Sequence, residues 1–308
     1  MTTIRVALIE EAWDQLPVFY QHINDIFLSK GINYCIEEAF EPKKALVSKG
    51  TLQGVVVFFD SKPVGMGWVE TVTRYYGSCV AHVLDPRAKP VLVEAMVQRG
   101  YFKDVFAEFI HFEEDIEPYQ EAFMAQGLHE NARQRMILHC DDYDPAINTR
   151  PFGRFECIKR DKLKVSATIS YFAHQVSLDY EGYKDLSTLN NRIKLEESVF
   201  DKLYGPVIED ASLFILDDNT IVGSCLMVEI ACWGEPKVPW VFDICIRPDY
   251  IGRGYGKQLL HRVLTVLKDT QEYPFIGLSV TQSNVQAIAV YEALGFTRAE
   301  FFYEYVQL

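Results

Sequence analysis

The feature that most constrains the fold of this chain is a weak internal repeat. Three short segments recur in the same order: Asp60–Gly65 as Asp218–Gly223, Val83–Pro86 as Cys245–Pro248, and Phe123–Leu128 as Tyr291–Phe296. The offsets are 158, 162 and 168 residues, and the intervening segments have the same predicted element types. A chain with ordered repeats of this kind folds into similar units, so we expect two related domains.

Hydrophobic periodicity in the second half predicts the order β-α-α-β-β-β-α-β-α-β. The polar, Pro- and Gly-containing segment that follows Cys140 separates the two periodic regions and indicates a connector. We therefore predict a first domain over residues 1–140, a linker over 141–154 and a second domain over 155–308. The alternation of helices and strands predicts an α/β class with a mixed sheet.

A glycine-rich turn joins a predicted strand to a long amphipathic helix in the second half. Glycine stands at positions 252, 254 and 256 in the sequence Gly-Arg-Gly-Tyr-Gly-Lys. Glycine permits positive φ angles and close approach of a ligand to the backbone. Together with a helix N-terminus, such N–H groups form an anion site suited to a pyrophosphate. A plain strand-to-helix turn with surface cations is the alternative reading of the glycines alone.

A second motif, Asn284-Val-Gln-Ala-Ile-Ala-Val-Tyr-Glu-Ala-Leu-Gly-Phe296, follows the glycine-rich turn. Together the two motifs resemble those of the GCN5-related N-acetyltransferase (GNAT) superfamily over about residues 155–308. Ile251 departs from the family pattern, which usually has Gln or Arg there. The resemblance implies two tandem GNAT lobes, each a mixed, mostly antiparallel sheet flanked by helices. It also implies transfer of an acetyl group from acetyl-CoA to an amine.

Residue roles follow from the same resemblance. The backbone of Ile244 and Ile246 would contact the pantetheine arm, and Asn284 would hydrogen-bond the amide arm of the cofactor. Tyr291 would be the general acid that protonates the departing thiolate. The pyrophosphate would lie on one continuous loop: Gly252, Arg253, Gly254, Tyr255, Gly256 and Lys257.

The general base is the least specified role. Asp243 lies in the predicted strand before the loop and is a candidate catalytic residue, with Glu229 as a second candidate. Because Asp243 alternates with Ile244 and Ile246, its side chain is expected on the opposite face of the strand from theirs.

The first repeat lacks the residues that would hold acetyl-CoA. Six residues are missing where the second repeat has its glycine loop, since the offset rises from 162 to 168. Ile116 aligns with Asn284 and Phe123 aligns with Tyr291, while Glu113–Glu117 contains four carboxylates. We interpret the first domain as a degenerate lobe that provides scaffold or part of the wall of the substrate site.

Composition excludes several other classes. A net charge of −13 disfavours nucleic acid as the partner and favours a cationic, small-molecule or peptide amine substrate. The seven cysteines form no C-x-x-C pair and the histidines lack zinc-site spacing, so no metal is expected. Without a long apolar stretch or a secretory signal pattern, the sequence predicts no membrane contact and a cytoplasmic location.

Two alternatives to a simple N-acetyltransferase stay open at this level. A non-catalytic acyl-CoA sensor needs only the loop, so the presence of Asn284 and Tyr291 argues against it. An enzyme resembling mycothiol synthase, which is also a tandem GNAT protein, would act on an amino-sugar conjugate.

Overall fold

The computed structural model describes residues 2–146, 153–177, 183 and 187–308. The chain forms two compact units, Met1–Asn131 with Phe302–Leu308, and Ala132–Phe301. The units therefore begin and end at other residues than the predicted domains, and the difference comes from strand pairing, as described below.

The first unit contains the first five strands of the chain and five helices. Its elements are β1 (Ile4–Leu8), α1 (Pro17–Ser29), α2 (Ile36–Phe40), α3 (Lys44–Ser48), β2 (Leu52–Phe59), β3 (Lys62–Thr71), β4 (Tyr76–Val83), α4 (Ala88–Gln98), β5 (Phe106–Ile110) and α5 (Glu117–Ala125). Strands β1 to β4 pair antiparallel in chain order, and β4 pairs with β5 in parallel.

The second unit repeats this order of strands and helices. Its elements are β6 (His129–His139), β7 (Arg154–Cys157), α6 (Leu163–His174), α7 (Leu189–Phe200), β8 (Leu213–Asp217), β9 (Thr220–Cys232), β10 (Glu235–Ile246), α8 (Tyr255–Thr270), β11 (Phe275–Thr281), α9 (Val285–Glu292) and β12 (Thr297–Val306). Strands β7 to β10 are antiparallel neighbours in chain order, and β10 runs parallel to β11. The predicted mixed, mostly antiparallel sheet with flanking helices is confirmed for both units.

The last strand of each repeat pairs in the unit built by the other repeat. β6 lies antiparallel to β11, from Phe275 opposite His139 to Thr281 opposite Arg133. The end of β12 lies antiparallel to β5, with Glu304 opposite Glu108. This exchange moves the division of the chain to Asn131, ten residues before the predicted linker.

The predicted linker is also partly structural. Tyr143 is buried in the core of the second unit, and its hydroxyl donates a hydrogen bond to the carbonyl oxygen of His261 at 3.0 Å. Residues 147–152 of the predicted linker, and 178–180 of a helix predicted over 164–180, lie outside the described residues.

Strand alternation divides each core between two faces of its sheet. In the first unit, Val55 and Val57 pack with α4 and α5, whereas Val56 and Phe58 pack with α1. In the second unit, Leu213 and Ile215 pack with α8, and Phe214 packs with α6. Side chains of β10 are therefore directed alternately to α8 and to the helix pair α6 and α7.

Among the helices that the structure describes, none combines the length and the apolar character that a membrane crossing requires.

Candidate functional site

A gap opens between two neighbouring parallel strands of the second unit. In the described part of the chain, β10 and β11 pair only at Trp240–Gly277 and Val241–Leu278, although both strands continue beyond these residues. The register of β10 with β9 shifts between Val241 and Asp243, which marks a β-bulge at the point of separation. Strands that part in this way leave backbone N–H and C=O groups for another partner.

The predicted glycine-rich turn lies directly after β10. Gly252 has φ +81° and Gly254 has φ +87°, so both adopt the left-handed conformation that favours glycine. Gly256 lies in the first turn of α8, where a Cβ atom would contact Ile246 Cγ1 at an ordinary 3.6 Å. The backbone therefore requires glycine at two of the three positions.

The N-terminus of α8 is equipped for an anion. Gly254 is the N-cap residue, no side chain caps the helix, and its first turn has no acidic residue. The helix is 16 residues long, and its dipole places partial positive charge at this end. A pyrophosphate fits this donor set, because unsatisfied N–H groups at a helix start bind phosphate groups.

The cations of the loop are held by local contacts. Arg253 Nη2 donates to the carbonyl oxygen of Asp249 at 2.9 Å, and its guanidinium lies 4.9 Å from the centre of the Tyr250 ring. Arg247 pairs with the Asp249 carboxylate at 2.9 Å. Arg247 is therefore partly neutralised, whereas Arg253 retains its charge at the loop.

Two hydrophobic strand residues lie on the α8 face of β10, as their alternation with Asp243 predicted. Ile244 and Ile246 pack against the core cluster that includes α8. Tyr255, the first residue of α8, is buried in the same cluster, and burial together with Asp217 raises the pKa of its hydroxyl. Lys257 lies one turn into α8, at the same helix end as the loop.

Asn284 has a structural role in addition to its predicted one. It is the N-cap of α9, and its Oδ1 accepts the N–H of Ala287 at 3.2 Å. We expected Asn284 and Tyr291 on one helix face. Asn284 instead precedes the helix, with φ −82° and ψ 63°.

Tyr291 lies near the end of α9 and is 7% exposed. Its ring belongs to the cluster that contains the buried stripe of α8 and lies 6.1 Å from the ring of Phe296. The phenol is therefore held by packing, which limits the motion of its hydroxyl.

The geometry opposes the role of general base that we expected for Asp243. Its Oδ1 accepts from His174 Nε2 at 3.0 Å and its Oδ2 from Arg192 Nη2 at 2.8 Å. Burial alone would raise the pKa of Asp243, but Arg192 and then His174 outweigh it and hold that pKa well below its usual range. A carboxylate stabilised in this way is a poor proton acceptor.

Glu229, the second candidate base, lies before the point where β10 and β11 separate. It is opposite Pro239 in the sheet and accepts a hydrogen bond from the Tyr273 hydroxyl at 3.1 Å. Its position places it away from the gap, on the side where the strands are still paired.

Sequence reasoning missed the charged partners of Asp243. The side chains of Arg192 and Glu196 on α7 are 3% and 0% exposed, and they are 3.2 Å apart. Burial raises the pKa of Glu196 to about 7, although Arg192 acts in the other direction. The i,i+4 spacing of these charges is typical of an exposed pair, so only the burial of α7 distinguishes them.

The equivalent region of the first unit is built differently. Arg87 pairs with Asp85 at the start of α4, where the second unit has its glycine turn. Lys89, which aligns with Lys257, is buried and pairs with Glu113 at 2.6 Å. Phe123, at the position of Tyr291, stacks on Tyr305 with ring centres 4.2 Å apart.

Within the residues that the structure describes, no group of three His, Cys, Asp or Glu side chains is arranged to hold a metal ion.

Comparison with solved structures identifies the fold. A GCN5-related N-acetyltransferase from Sphaerobacter thermophilus superposes with a TM-score of 0.58 at 18% identity, covering 99% of this chain and 94% of that one. A glucosamine N-acetyltransferase region of a fungal β-N-acetylglucosaminidase superposes with a TM-score of 0.55 at 13% identity, covering 99% of this chain and 38% of that one. At these identities the likeness concerns the fold alone.

Sequence comparisons identify the family. The family model described as "Acetyltransferase (GNAT) family" matches residues 183–296. Mycothiol acetyltransferase of Salinispora arenicola is 37% identical over 65 residues, which are 21% of this chain and 21% of that protein. Ribosomal protein bS18-alanine N-acetyltransferase of Salmonella typhimurium is 41% identical over 59 residues, 19% of this chain and 39% of that protein. The matches thus span well under half of these curated relatives. The chain belongs to the GNAT superfamily, as the two motifs predicted.

Proposed function

We propose that the second unit binds acetyl-CoA and transfers its acetyl group to an amine, which makes the chain an N-acetyltransferase. The observation that carries the proposal is the combination of the gap between β10 and β11 with the glycine turn at the start of α8. The gap supplies free strand edges for an amide-containing arm, and the turn supplies donors for a pyrophosphate.

The binding residues are proposed on this geometry. The loop Gly252–Lys257 would hold the pyrophosphate through its N–H groups, with Arg253 and Lys257 adding positive charge. The β10 backbone at Ile244 and Ile246 would pair with the pantetheine arm. Asn284, at the start of α9, would contact the same arm with the part of its amide that does not cap the helix.

The chemical step needs few protein groups. Acetyl-CoA supplies an activated thioester, so attack by a neutral amine requires no covalent enzyme intermediate. The departing thiolate needs a proton, for which we propose the phenol of Tyr291, since a tyrosine hydroxyl retains its proton near neutral pH. Backbone N–H groups at the β-bulge of β10 would stabilise the developing oxyanion.

The acceptor is proposed as a primary amine of a small molecule or peptide. The net charge of −13 favours approach of a cation. The relatives are named for acceptors as different as mycothiol, the alanine of a ribosomal protein and S-(2-succino)cysteine. These names define a panel for testing rather than a single substrate.

The proposal is tested in two stages on the full chain. Calorimetric titration with acetyl-CoA measures binding, and release of free thiol measures turnover against amino-sugar conjugates, peptides with N-terminal alanine, S-substituted cysteines and polyamines. Acetyl-CoA binding with amine-dependent thiol release supports the proposal. Binding without turnover across the panel would favour a sensor, and the lack of acetyl-CoA binding would contradict the proposal outright.

A further inference from the structure

A histidine that the sequence did not single out is hydrogen-bonded to Asp243. His174 is the last residue of α6, its side chain is 16% exposed, and its Nε2 lies 3.0 Å from Asp243 Oδ1. The other ring nitrogen, Nδ1, is enclosed and has no hydrogen-bond partner among the described residues.

The charges around His174 determine which nitrogen carries its proton. Asp243 is ionised, because Arg192 donates to its other oxygen at 2.8 Å. An ionised carboxylate beside Nε2 accepts a hydrogen bond from it, so the neutral ring carries its proton there. Nδ1 is then the acceptor nitrogen of the ring.

Structural need does not account for the histidine. Arg192 already compensates the charge of Asp243, and Glu196 next to Arg192 has a pKa of about 7 because of burial. Enclosing Nδ1 without a partner costs free energy that an apolar side chain at the end of α6 would not incur. Such orphaned groups in a native structure call for a functional explanation.

The position of the pair relates it to the proposed acetyl-CoA site. Asp243 lies at the bulge where β10 leaves β11, and His174 is one hydrogen bond from it. A His–Asp pair in which the carboxylate orients the ring is the arrangement that serves proton abstraction in many transferases and hydrolases.

We propose that His174 is the general base of the second unit and that Asp243 and Arg192 are positioning residues. This inference rests on the proposed N-acetyltransferase function. The ammonium form of the acceptor loses one proton to His174 Nδ1, directly or through one water molecule. The neutral nitrogen then forms the C–N bond as the C–S bond breaks. The thiolate takes a proton from Tyr291, and the second proton lost by nitrogen balances the one that Tyr291 regains from solvent.

The groups that face His174 set its pH behaviour. Asp243 and Cys245 contribute from β10, and Arg192 and Glu196 contribute from α7. The C-terminal end of α6 adds a partial negative charge that favours a protonated ring. Ionised Asp243 and this helix end both stabilise the imidazolium that forms on proton transfer.

His174→Gln separates the catalytic role from a structural one. The glutamine amide can still donate to Asp243 but offers no basic nitrogen. We expect kcat/KM to fall by about 100-fold near pH 7, with acetyl-CoA affinity within about twofold of wild type. The deficit should shrink about tenfold per pH unit on raising the pH, since solvent then deprotonates the amine. His139→Gln, on the exposed end of β6, is the matched control and should change kcat/KM less than about threefold.

A pH profile of His174→Gln with the same shape as wild type would overturn the proposal, whether or not the rate is lower. ¹⁵N NMR of the imidazole gives a second test that needs no acceptor. The proposal requires neutral His174 to carry its proton on Nε2 and not on Nδ1, and the reverse tautomer would also overturn it. Failure of wild type to acetylate any amine counts against the proposed function, and the NMR result then still decides the role of the ring.

Discussion

The two units share an order of elements but differ where a helix follows the fourth strand. In the second unit, α8 begins after two glycines with positive φ and has no capping side chain. In the first unit, Asp85 accepts the N–H of Arg87 and pairs with its guanidinium before α4 begins. One helix start leaves donors for a ligand, and in the other a carboxylate of the chain itself takes that place.

The space beside the fifth strand shows the same contrast. In the first unit, Lys89 pairs with Glu113, and His22 lies 2.8 Å from His82. Burial, together with His22 and Lys89, lowers the pKa of His82 to about 3, so its ring is neutral. Internal pairs here occupy positions that align with Ile244, Lys257 and Thr281 of the second unit. A repeat can thus keep its fold after losing its ligand groups if its own side chains replace the ligand.

The largest effect should come from the tyrosine that the first unit lacks. Tyr291→Phe gives the second unit the residue that Phe123 provides in the first, and it removes only the hydroxyl. We expect kcat to fall about 100-fold, or about 2.7 kcal/mol, with little change in acetyl-CoA affinity. Single-turnover kinetics would check this.

Tyr143→Phe is the control for Tyr291→Phe, because its hydroxyl is also buried in the second unit. It should lower stability without changing kcat more than about threefold. Equal rates for Tyr291→Phe and wild type, under conditions where chemistry limits turnover, would remove this difference between the units.

The buried ion pair of the first unit should matter for stability and not for binding. Lys89→Met leaves Glu113 without its cation, and we expect a loss of about 2 kcal/mol in the free energy of unfolding. Urea denaturation measures this, with Lys62→Met on the exposed start of β3 as control at less than about 0.5 kcal/mol. Weaker acetyl-CoA binding by folded Lys89→Met would indicate that the first unit also takes part in the site.

The glycine turn offers a matched pair of substitutions. Gly252 and Gly234 both have φ +81°, and a Cβ at either would meet no atom within 4 Å. Valine imposes the same backbone strain at both positions. Gly252→Val should weaken acetyl-CoA binding at least tenfold, about 1.4 kcal/mol, whereas Gly234→Val should leave the dissociation constant unchanged in calorimetry. A similar loss in both variants would show that strain, and not contact with the ligand, is responsible.

The smallest effect should be a pH dependence of stability. Burial raises the pKa of Glu196 to about 7, so the folded state binds a proton that the unfolded state releases at lower pH. This contribution is complete below the unfolded pKa near 4.5 and is lost as the pH rises through about 7. Glu196→Gln should flatten the fall by roughly 1 kcal/mol between about pH 5 and pH 8. Urea midpoints that change equally with pH in both proteins would contradict the raised pKa.

Local patterns predicted most elements of the second unit to within a few residues. The stripe Leu259, Leu260, Val263 and Leu264 fixed α8, and its observed range Tyr255–Thr270 extends the predicted helix by two residues. The glycine turn was also predictable, because positive φ angles leave few other residue choices.

Long-range pairing was not predictable in the same way. β6 and β12 align at an offset of 168 residues and carry the same strand pattern, so the sequence alone does not indicate which repeat each one completes. The contacts of Asp243 with Arg192 and His174 join residues 51 and 69 positions apart. Periodicity indicated the face of Asp243, but only the packing of α6 and α7 identifies its partners.

The central claim is that one unit binds acetyl-CoA and the other does not, and the stoichiometry of binding to the full chain tests it most directly. Calorimetric titration should give one acetyl-CoA per chain, and Gly252→Val should weaken that single event. A stoichiometry near two, or a site of unchanged affinity that persists in Gly252→Val, would contradict the account.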